Sequence, residues 1–154
     1  METLRYKSQR FGQIEYSLDD LITFPEGIVG FPDAHRFVLL NHRADSPFRW
    51  LQSLDESGLA FLVCDPAAFL NGYEPEMHDD AAAILELTED VPRLCYVIAS
   101  IPPGKPRDMT LNLAGPIVIN AENHLALQLV VDDPGYAIKH RVFVNQPATS
   151  EMAA

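Results

Sequence analysis

Apolar and polar residues alternate with a period of two along much of the chain, which is the pattern of β-strands with one buried face. The clearest example spans 125–131, where one strand face would be wholly apolar. That face would consist of Leu125, Leu127, Leu129 and Val131, and the opposite face of Ala126, Gln128, Val130 and Asp132. The preceding run 116–120 is rich in β-branched residues, and 121–123 is a short polar connection. The stretch 117–131 is therefore predicted to form a β-hairpin.

Further runs have the composition of short strands and are separated by turns rich in Gly, Pro and Asp. These runs are 11–16, 21–24, 37–41, 49–54, 59–64, 84–87, 94–101 and 137–144. Helix is predicted only briefly, at 67–70 after Pro66 and in a turn that follows Pro75. The strand spacing is typical of β-sandwiches and β-barrels, so we predict a mostly β fold of antiparallel strands with few short helices.

The length of the chain, 154 residues, is that of one domain with one core. We expect a single domain over 1–145 and a flexible tail over 146–154, because the tail lacks apolar periodicity. The N-terminus carries charges in place of an apolar signal segment, and no apolar run reaches about 18 residues. These features predict a cytoplasmic protein without a membrane span.

Acidic residues dominate the charge, giving a net charge of −11 and a pI near 4.7. The stretch 50–92 contains ten Asp or Glu residues and no Lys or Arg. Direct binding of RNA or DNA requires clustered basic residues and is disfavoured, unless the short basic runs 36–49 and 139–141 converge. A basic protein partner fits better, although an acidic excess can also simply keep a protein soluble.

Motifs of catalysis and metal binding are absent from the sequence: there is no nucleophile elbow, no phosphate-binding glycine loop and no H-E-x-x-H. His78 is followed by Asp79 and Asp80, but a solvated acidic loop explains these three residues better than a metal site. Paired carboxylates at 19–20, 55–56 and 132–133 each fall at a predicted turn. We therefore predict no enzyme activity, no metal and no cofactor.

The two cysteines, Cys64 and Cys95, lie in apolar strand-like runs and lack the C-x-x-C spacing of zinc or redox sites. We expect buried free thiols. Cys64 with Asp65 could be imagined as a nucleophile, but nothing in the sequence places a histidine beside it.

Two long blocks and several shorter ones form a specific set of motifs along the chain. The long blocks are F-P-E-G-I-V-G-F at 24–31 and M-T-L-N-L-A-G-P-I-V-I-N at 109–120. The shorter ones are P-F-R-W-L-Q-S at 47–53, L-A-F-L-V at 59–63, Asp65, Pro66, Tyr73, Gln128, Tyr136 and His140. Together and in this order, from about residue 6 to residue 144, they resemble the FliW family. One departure is Gly115, where the family more often has Ala, and the loop 102–106 is another.

The resemblance implies a small barrel-like β fold, no cofactor and two protein partners: flagellin and the RNA-binding translational regulator CsrA. In the family scheme, the free protein binds CsrA and prevents it from repressing flagellin synthesis, while flagellin binds the same protein and withdraws it. An acidic protein would be steered towards the basic surface of such a regulator. Charge alone favours neither occlusion of RNA nor allosteric inhibition.

Partner contacts are predicted in the acidic stretch and its loops. The predicted contact residues are Asp55, Glu56, Asp65, Tyr73, Glu74 and Glu76. Flagellin ends are amphipathic helices, which a β-rich partner would receive in an apolar groove. An alternative is a small β-barrel flavin- or ligand-binding protein or enzyme, which absorbance spectroscopy would reveal. A structural component of the flagellum is disfavoured, because the sequence lacks long amphipathic helices.

Overall fold

The computed structural model describes residues 3–41 and 45–143, and the tail predicted at 146–154 lies outside them. Short strands account for most of the regular structure in this part of the chain. The strands are β1 (Leu4–Ser8), β2 (Gly12–Tyr16), β3 (Ile22–Thr23), β4 (Arg36–Asn41), β5 (Phe48–Ser53), β6 (Ala60–Cys64), β7 (Arg93–Ser100), β8 (Thr110–Leu111), β9 (Ile117–Asn120), β10 (Ala126–Gln128) and β11 (His140–Arg141). One α-helix, α1 (Asp79–Leu85), and the 3₁₀ turns Leu18–Asp20, Pro66–Ala68 and Pro106–Asp108 complete the described elements.

The main sheet is antiparallel, with the spatial order β10-β9-β7-β6-β5-β4-β3. β7 pairs with β9 over its first half and with β8 at its end, and β8 in turn pairs with β11. The two ends of the sheet meet at one parallel bridge between Thr23 and Leu125, where the Thr23 amide donates to the His124 carbonyl at 3.0 Å. The sheet therefore curls into a barrel-like form without closing through a continuous ladder. This confirms the predicted mostly β, antiparallel, barrel-like fold.

The concave face of the curled sheet holds the central core. Its largely or fully buried side chains are Phe24, Phe37, Leu51, Val63, Ile117, Ile119 and Ala126. The rings of Phe24 and Phe37 meet edge to face with centroids 5.1 Å apart. Burying each large apolar side chain stabilises the fold by roughly 1.5–3 kcal/mol relative to exposure, so this layer is the main source of stability.

Accessory elements cover the outer face of the sheet in three places. The β1–β2 hairpin contributes Ile14 to a cluster with Val38 of β4. Helix α1 buries Leu85 in a cluster with Val118 of β9. β8 and β11 lie beyond β7, where Leu111 is fully buried. Strands in the middle of the sheet are consequently buried on both faces.

This double burial explains where the prediction for 125–131 holds and where it fails. The predicted hairpin is confirmed, since β9 pairs antiparallel with β10. The predicted apolar face packs in the cluster beneath α1, as expected of its four aliphatic residues. The opposite face is divided, because Ala126 enters the central core and Gln128 is buried, whereas Val130 and Asp132 are exposed.

The strand predicted at 84–87 is wrong, because Ile84 and Leu85 end helix α1. The run D-D-A-A-A at 79–83 explains the helix, since acidic residues favour a helix N-terminus and alanine is the best helix former. Glu86 stops the helix in a left-handed conformation, with φ of 57°. The helix after Pro75 is thus confirmed and longer than predicted. Within the described residues, no helix is long and apolar enough to cross a membrane.

Other elements also depart from the sequence prediction. Strands β1 and β8 were not predicted, because both are short and only partly apolar. The strand predicted at 137–144 reduces to β11, and residue 144 lies outside the described part of the chain. The turn predicted at 67–70 forms as the 3₁₀ turn that begins at Pro66.

Two buried amide side chains attach the accessory elements to the sheet. Gln52 accepts a hydrogen bond from the Ser8 hydroxyl at 2.7 Å and donates to the carbonyl of Ser53 at 2.9 Å. Asn120 donates to the Leu85 carbonyl at the end of α1 at 2.8 Å. Its oxygen accepts from the backbone amides of Glu122 and Asn123, at 2.8 and 3.2 Å. Asn120 therefore ties the helix end to the β9–β10 turn.

Replacing Asn120 with Ala should destabilise the protein by about 3 kcal/mol, because it leaves a buried helix carbonyl and two turn amides without their partner. Asn71→Ala, at an exposed asparagine, is the matched control and should cost about 0.5 kcal/mol at most. Urea unfolding followed by tryptophan fluorescence measures both. Equal effects of the two substitutions would contradict the anchoring role of Asn120.

Candidate functional site

Two concave surfaces lie side by side on one part of the molecule and share the side chain of Leu129. The first, here called the acidic cavity, has a volume of about 490 Å³. It is lined by Asp65, Pro66, Ala67, Leu70, Gly72, Tyr73, Glu74, Pro75, Met77, Arg93, Cys95, Val118 and Leu129. The second, here called the apolar groove, has a volume of about 360 Å³. It is lined by Ile28, Val29, Phe61, Ile98, Asn112, Ala114, Gly115, Gln128, Leu129, Val130, Val131 and Ile138.

Acidic groups stand at the edge of the first cavity, above a mostly apolar interior. Asp65 follows β6 and accepts a hydrogen bond from the Ala67 amide at 2.9 Å, which begins the 3₁₀ turn. Glu74 lies in the loop that follows this turn and lines the cavity. The exposed Glu76 comes two residues later. An acidic edge around an apolar interior suits a partner side chain that has an apolar stem and a basic end.

Tyr73 forms a rigid wall of the acidic cavity. Its hydroxyl donates a hydrogen bond to the Leu113 carbonyl, and its ring meets Tyr136 edge to face at 4.8 Å. The Tyr136 hydroxyl accepts from the Glu74 amide at 3.2 Å. Burial raises the pKa of Tyr73, so its hydroxyl remains a donor at neutral pH. These contacts fix the loop 72–74, which presents Glu74.

Both cysteines are free, as predicted, and Cys95 faces the acidic cavity. Burial raises the pKa of the Cys95 thiol to about 11, and the carboxylate of Asp65 adds to this effect. Burial likewise raises the pKa of Cys64 to about 12. Both thiols therefore stay protonated at neutral pH. Neither forms the thiolate that nucleophilic catalysis by cysteine requires.

The residues considered for metal binding lie at a helix start. His78 occupies the position before α1, and Asp79 and Asp80 form the exposed first turn. The negative charges of the two aspartates are favourable at the positive, N-terminal end of the helix. Across residues 3–41 and 45–143, no group of three or more His, Cys, Asp or Glu residues has the arrangement of a metal site.

The structure brings together some of the predicted contact residues and separates others. Asp65, Tyr73 and Glu74 line the acidic cavity, and Glu76 lies close to it along the chain. The other two predicted residues, 55 and 56, lie in the turn between β5 and β6. This turn is at the opposite end of β6 from Asp65, roughly 17 Å away for a strand of this length.

Asp55 has a structural partner of its own. Its carboxylate accepts from the backbone amides of His35 and Arg36, both at 2.9 Å, and forms an ion pair with the Arg36 guanidinium at 2.9 Å. Partial burial alone would raise the pKa of Asp55, but these hydrogen bonds and the Arg36 charge lower it overall. Asp55 therefore holds the start of β4 against the β5–β6 turn.

The apolar groove exposes three large aliphatic side chains that sequence analysis did not select. Val29 is 67% exposed, Val130 77% and Ile138 66%, and all three line the groove. Such a concentration is unusual, because contiguous exposed apolar surface generally marks a site of interaction. The sequence feature that could have indicated this groove is Val29, which lies between Ile28 and Gly30 in a predicted turn of the long block 24–31.

Gln128 holds the groove together from below. Its side-chain oxygen accepts from the Val29 amide at 2.9 Å, and its amide nitrogen donates to the Gly115 carbonyl at 3.1 Å. A side chain at Gly115 would bring its Cβ within 2.8 Å of the Gln128 nitrogen and 2.9 Å of the Asn112 nitrogen. Glycine at position 115 thus allows both amides to approach the backbone closely.

The turn that presents Val29 also depends on a glycine. Gly27 has φ of 70°, and a Cβ there would lie 2.5 Å from the Pro32 carbonyl oxygen. Ile28 and Phe31 close the turn through reciprocal backbone hydrogen bonds of 3.1 and 2.6 Å. The turn is therefore fixed at its base by backbone geometry and at its tip by Gln128.

Known proteins are similar to this chain over nearly its whole length, including the acidic cavity and the apolar groove. A family model described as FliW protein matches residues 5–142, which include both surfaces. The flagellar assembly factor FliW of Thermoanaerobacter pseudethanolicus is 39% identical over 140 residues, covering 90% of this chain and 93% of the relative. That of Leptospira biflexa is 36% identical over 132 residues, covering 86% of each. A crystal structure of the flagellar assembly factor FliW superposes with a TM-score of 0.81 at 32% identity, covering 96% of this chain and 99% of that one.

Proposed function

The chain belongs to the FliW family, and we propose that it acts as a flagellar assembly factor in the cytoplasm by binding proteins, with no catalytic step. In this proposal it binds a CsrA-type regulator and relieves the repression of flagellin synthesis. Flagellin binds the same protein and releases the regulator. The observation that carries the proposal is the pair of adjoining surfaces of different chemistry, one acidic and one apolar.

The acidic cavity is the proposed surface for the regulator. A protein that binds RNA presents clustered basic residues, and the net charge of −11 attracts such a surface over long range. Asp65, Glu74 and Glu76 concentrate this charge beside a cavity that can receive a long basic side chain. Complementary charge of this kind mainly raises the association rate and sets its salt dependence.

The apolar groove is the proposed surface for flagellin. An amphipathic helix places its apolar face in a groove through side chains three or four residues apart. Val29, Val130 and Ile138 provide exposed aliphatic contacts on a part of the surface that Gln128 holds in place. Burial of these side chains against a helix supplies the hydrophobic part of the binding free energy.

Mutual exclusion follows from the size of protein interfaces. A standard interface covers about 800 Å² on each partner, which is more area than either concave surface offers alone. The cavity and the groove share Leu129, and Tyr136 at the cavity lies two residues from Ile138 in the groove. Partners centred on the two surfaces would therefore overlap, which supports exchange by occlusion between them.

Titration calorimetry of the purified protein tests the switch. We expect submicromolar binding to a CsrA-type regulator, and loss of that heat after saturation with a C-terminal flagellin fragment. Unchanged binding of the regulator in the presence of flagellin would contradict mutual exclusion. Absence of binding to both partners, verified by an optical assay, would contradict the partner switch as a whole.

Reversing the charges at the acidic cavity should slow binding of the regulator. Glu74→Lys combined with Glu76→Lys is expected to reduce the association rate by about tenfold at low salt and to weaken its salt dependence. Stopped-flow measurements across ionic strength provide the readout. The matched control is Glu89→Lys with Glu122→Lys, which changes the same charge at exposed residues outside the cavity lining. Equal slowing by both pairs would assign the effect to net charge and remove the cavity from the proposal.

A charge in the apolar groove should weaken flagellin binding. Val130→Asp is expected to lower the affinity for the C-terminal flagellin fragment by at least about tenfold, because it places a carboxylate against the apolar face of the helix. Leu18→Asp is the control, since Leu18 is 67% exposed, similar to the 77% of Val130, but lies outside the groove. Both substitutions are at exposed positions and should change the unfolding free energy by less than about 0.5 kcal/mol. Full affinity of Val130→Asp would place flagellin elsewhere.

A further inference from the structure

A half-buried arginine that pairs with no carboxylate of the described residues lies at one end of the curled sheet. Arg49 is the second residue of β5 and alternates onto the same face as Leu51, which belongs to the central core. One terminal nitrogen, Nη1, donates to the Tyr96 hydroxyl at 3.1 Å. Its Nε atom is buried and makes no hydrogen bond. The ion pairs found among residues 3–41 and 45–143 place no carboxylate within 4.0 Å of Arg49.

Arg49 borders a recess of about 200 Å³, whose walls include Ile22, Leu39 and Ile119. These side chains come from β3, β4 and β9, so the recess lies inside the sheet near the seam where β3 and β10 meet. The ends of β-barrels are common places for ligands. The recess is much larger than the roughly 30 Å³ that one water occupies in the liquid, and smaller than the pockets that hold drug-sized molecules.

The rim of this recess carries the opposite charge. Asp19 and Asp20 both line it, together with His124. Asp20 uses its Oδ2 atom to accept from the Ser17 amide at 2.9 Å and the Ser17 hydroxyl at 3.3 Å, which leaves Oδ1 for a further contact. A simple anion would be attracted by the guanidinium and repelled by the rim. A ligand with an anionic and a cationic end satisfies both.

We propose that this recess binds a small zwitterion of the α-amino acid class, with its carboxylate on Arg49 and its ammonium group towards Asp19 and Asp20. The carboxylate accepts from the terminal nitrogens of the guanidinium, whose planar fork matches the two oxygens of a carboxylate. The ligand thereby supplies the counter-charge that Arg49 lacks among residues 3–41 and 45–143. The site is separate from the acidic cavity and the apolar groove, with no lining residue in common, and does not depend on the partner switch.

Nuclear magnetic resonance of the full chain tests the proposal through the Arg49 Nε–H signal. The signal is assigned by its loss in Arg49→Lys, and glycine, sodium acetate and methylammonium chloride are titrated at constant ionic strength. We expect glycine to shift the signal saturably, acetate to do so more weakly, and methylammonium not to shift it. Arg93 Nε–H, which lies outside this recess, is the internal control.

Asp19→Asn provides a second variant at an exposed position, where loss of folding is not expected. It should weaken glycine binding roughly two- to fivefold while leaving acetate binding unchanged or stronger, since one rim charge is removed. Equal affinities for glycine and acetate in the unmodified protein would overturn the zwitterion. No saturable shift with any of the three probes would show a recess filled by solvent only, and would overturn the site itself.

Discussion

The hydrogen bonds of Gln128 join three separate segments of the chain, and the shape of the apolar groove depends on them. A buried amide must satisfy both its donor and its acceptor, and Gln128 does so with the backbone at Val29 and Gly115. Gln52 and Asn120 impose the same requirement at the N-terminal hairpin and at the end of α1. The curled sheet supplies the stability, whereas these amides fix the position of the elements around it.

The central strands were predictable because they are short apolar runs bounded by turn residues, as expected of strands covered on both faces. Alternation misled at β10, since Gln128 is buried on the face opposite the apolar one. The strand predicted at 84–87 was wrong for a related reason. Leu85 and Leu87 are both buried, and a short apolar run has no period that distinguishes a strand from a helix. The alanines that precede it carry the helical preference.

Part of the candidate site was predicted from the sequence. The residues that were found are close together along the chain, and those that were missed are brought together only by the fold. Asp65, Tyr73 and Glu74 are close in sequence, so their common location was accessible. Val29, Val130 and Ile138 meet only through the fold, and each alone resembles an ordinary core residue. Several family motif residues, including Gln128, act on the backbone, while the neighbouring aliphatic side chains face solvent. A motif can therefore identify the frame of a site more readily than its contact surface.

The seam of the curled sheet has a consequence for the manner of recognition. An open sheet edge normally invites another chain to add a strand, which leads to aggregation when the edge is long and flat. Here the terminal strands β3 and β10 comprise two and three residues, and one bridge joins them. Neither offers a template of useful length. At this seam a protein partner would thus meet side chains instead of backbone, which favours a reversible encounter.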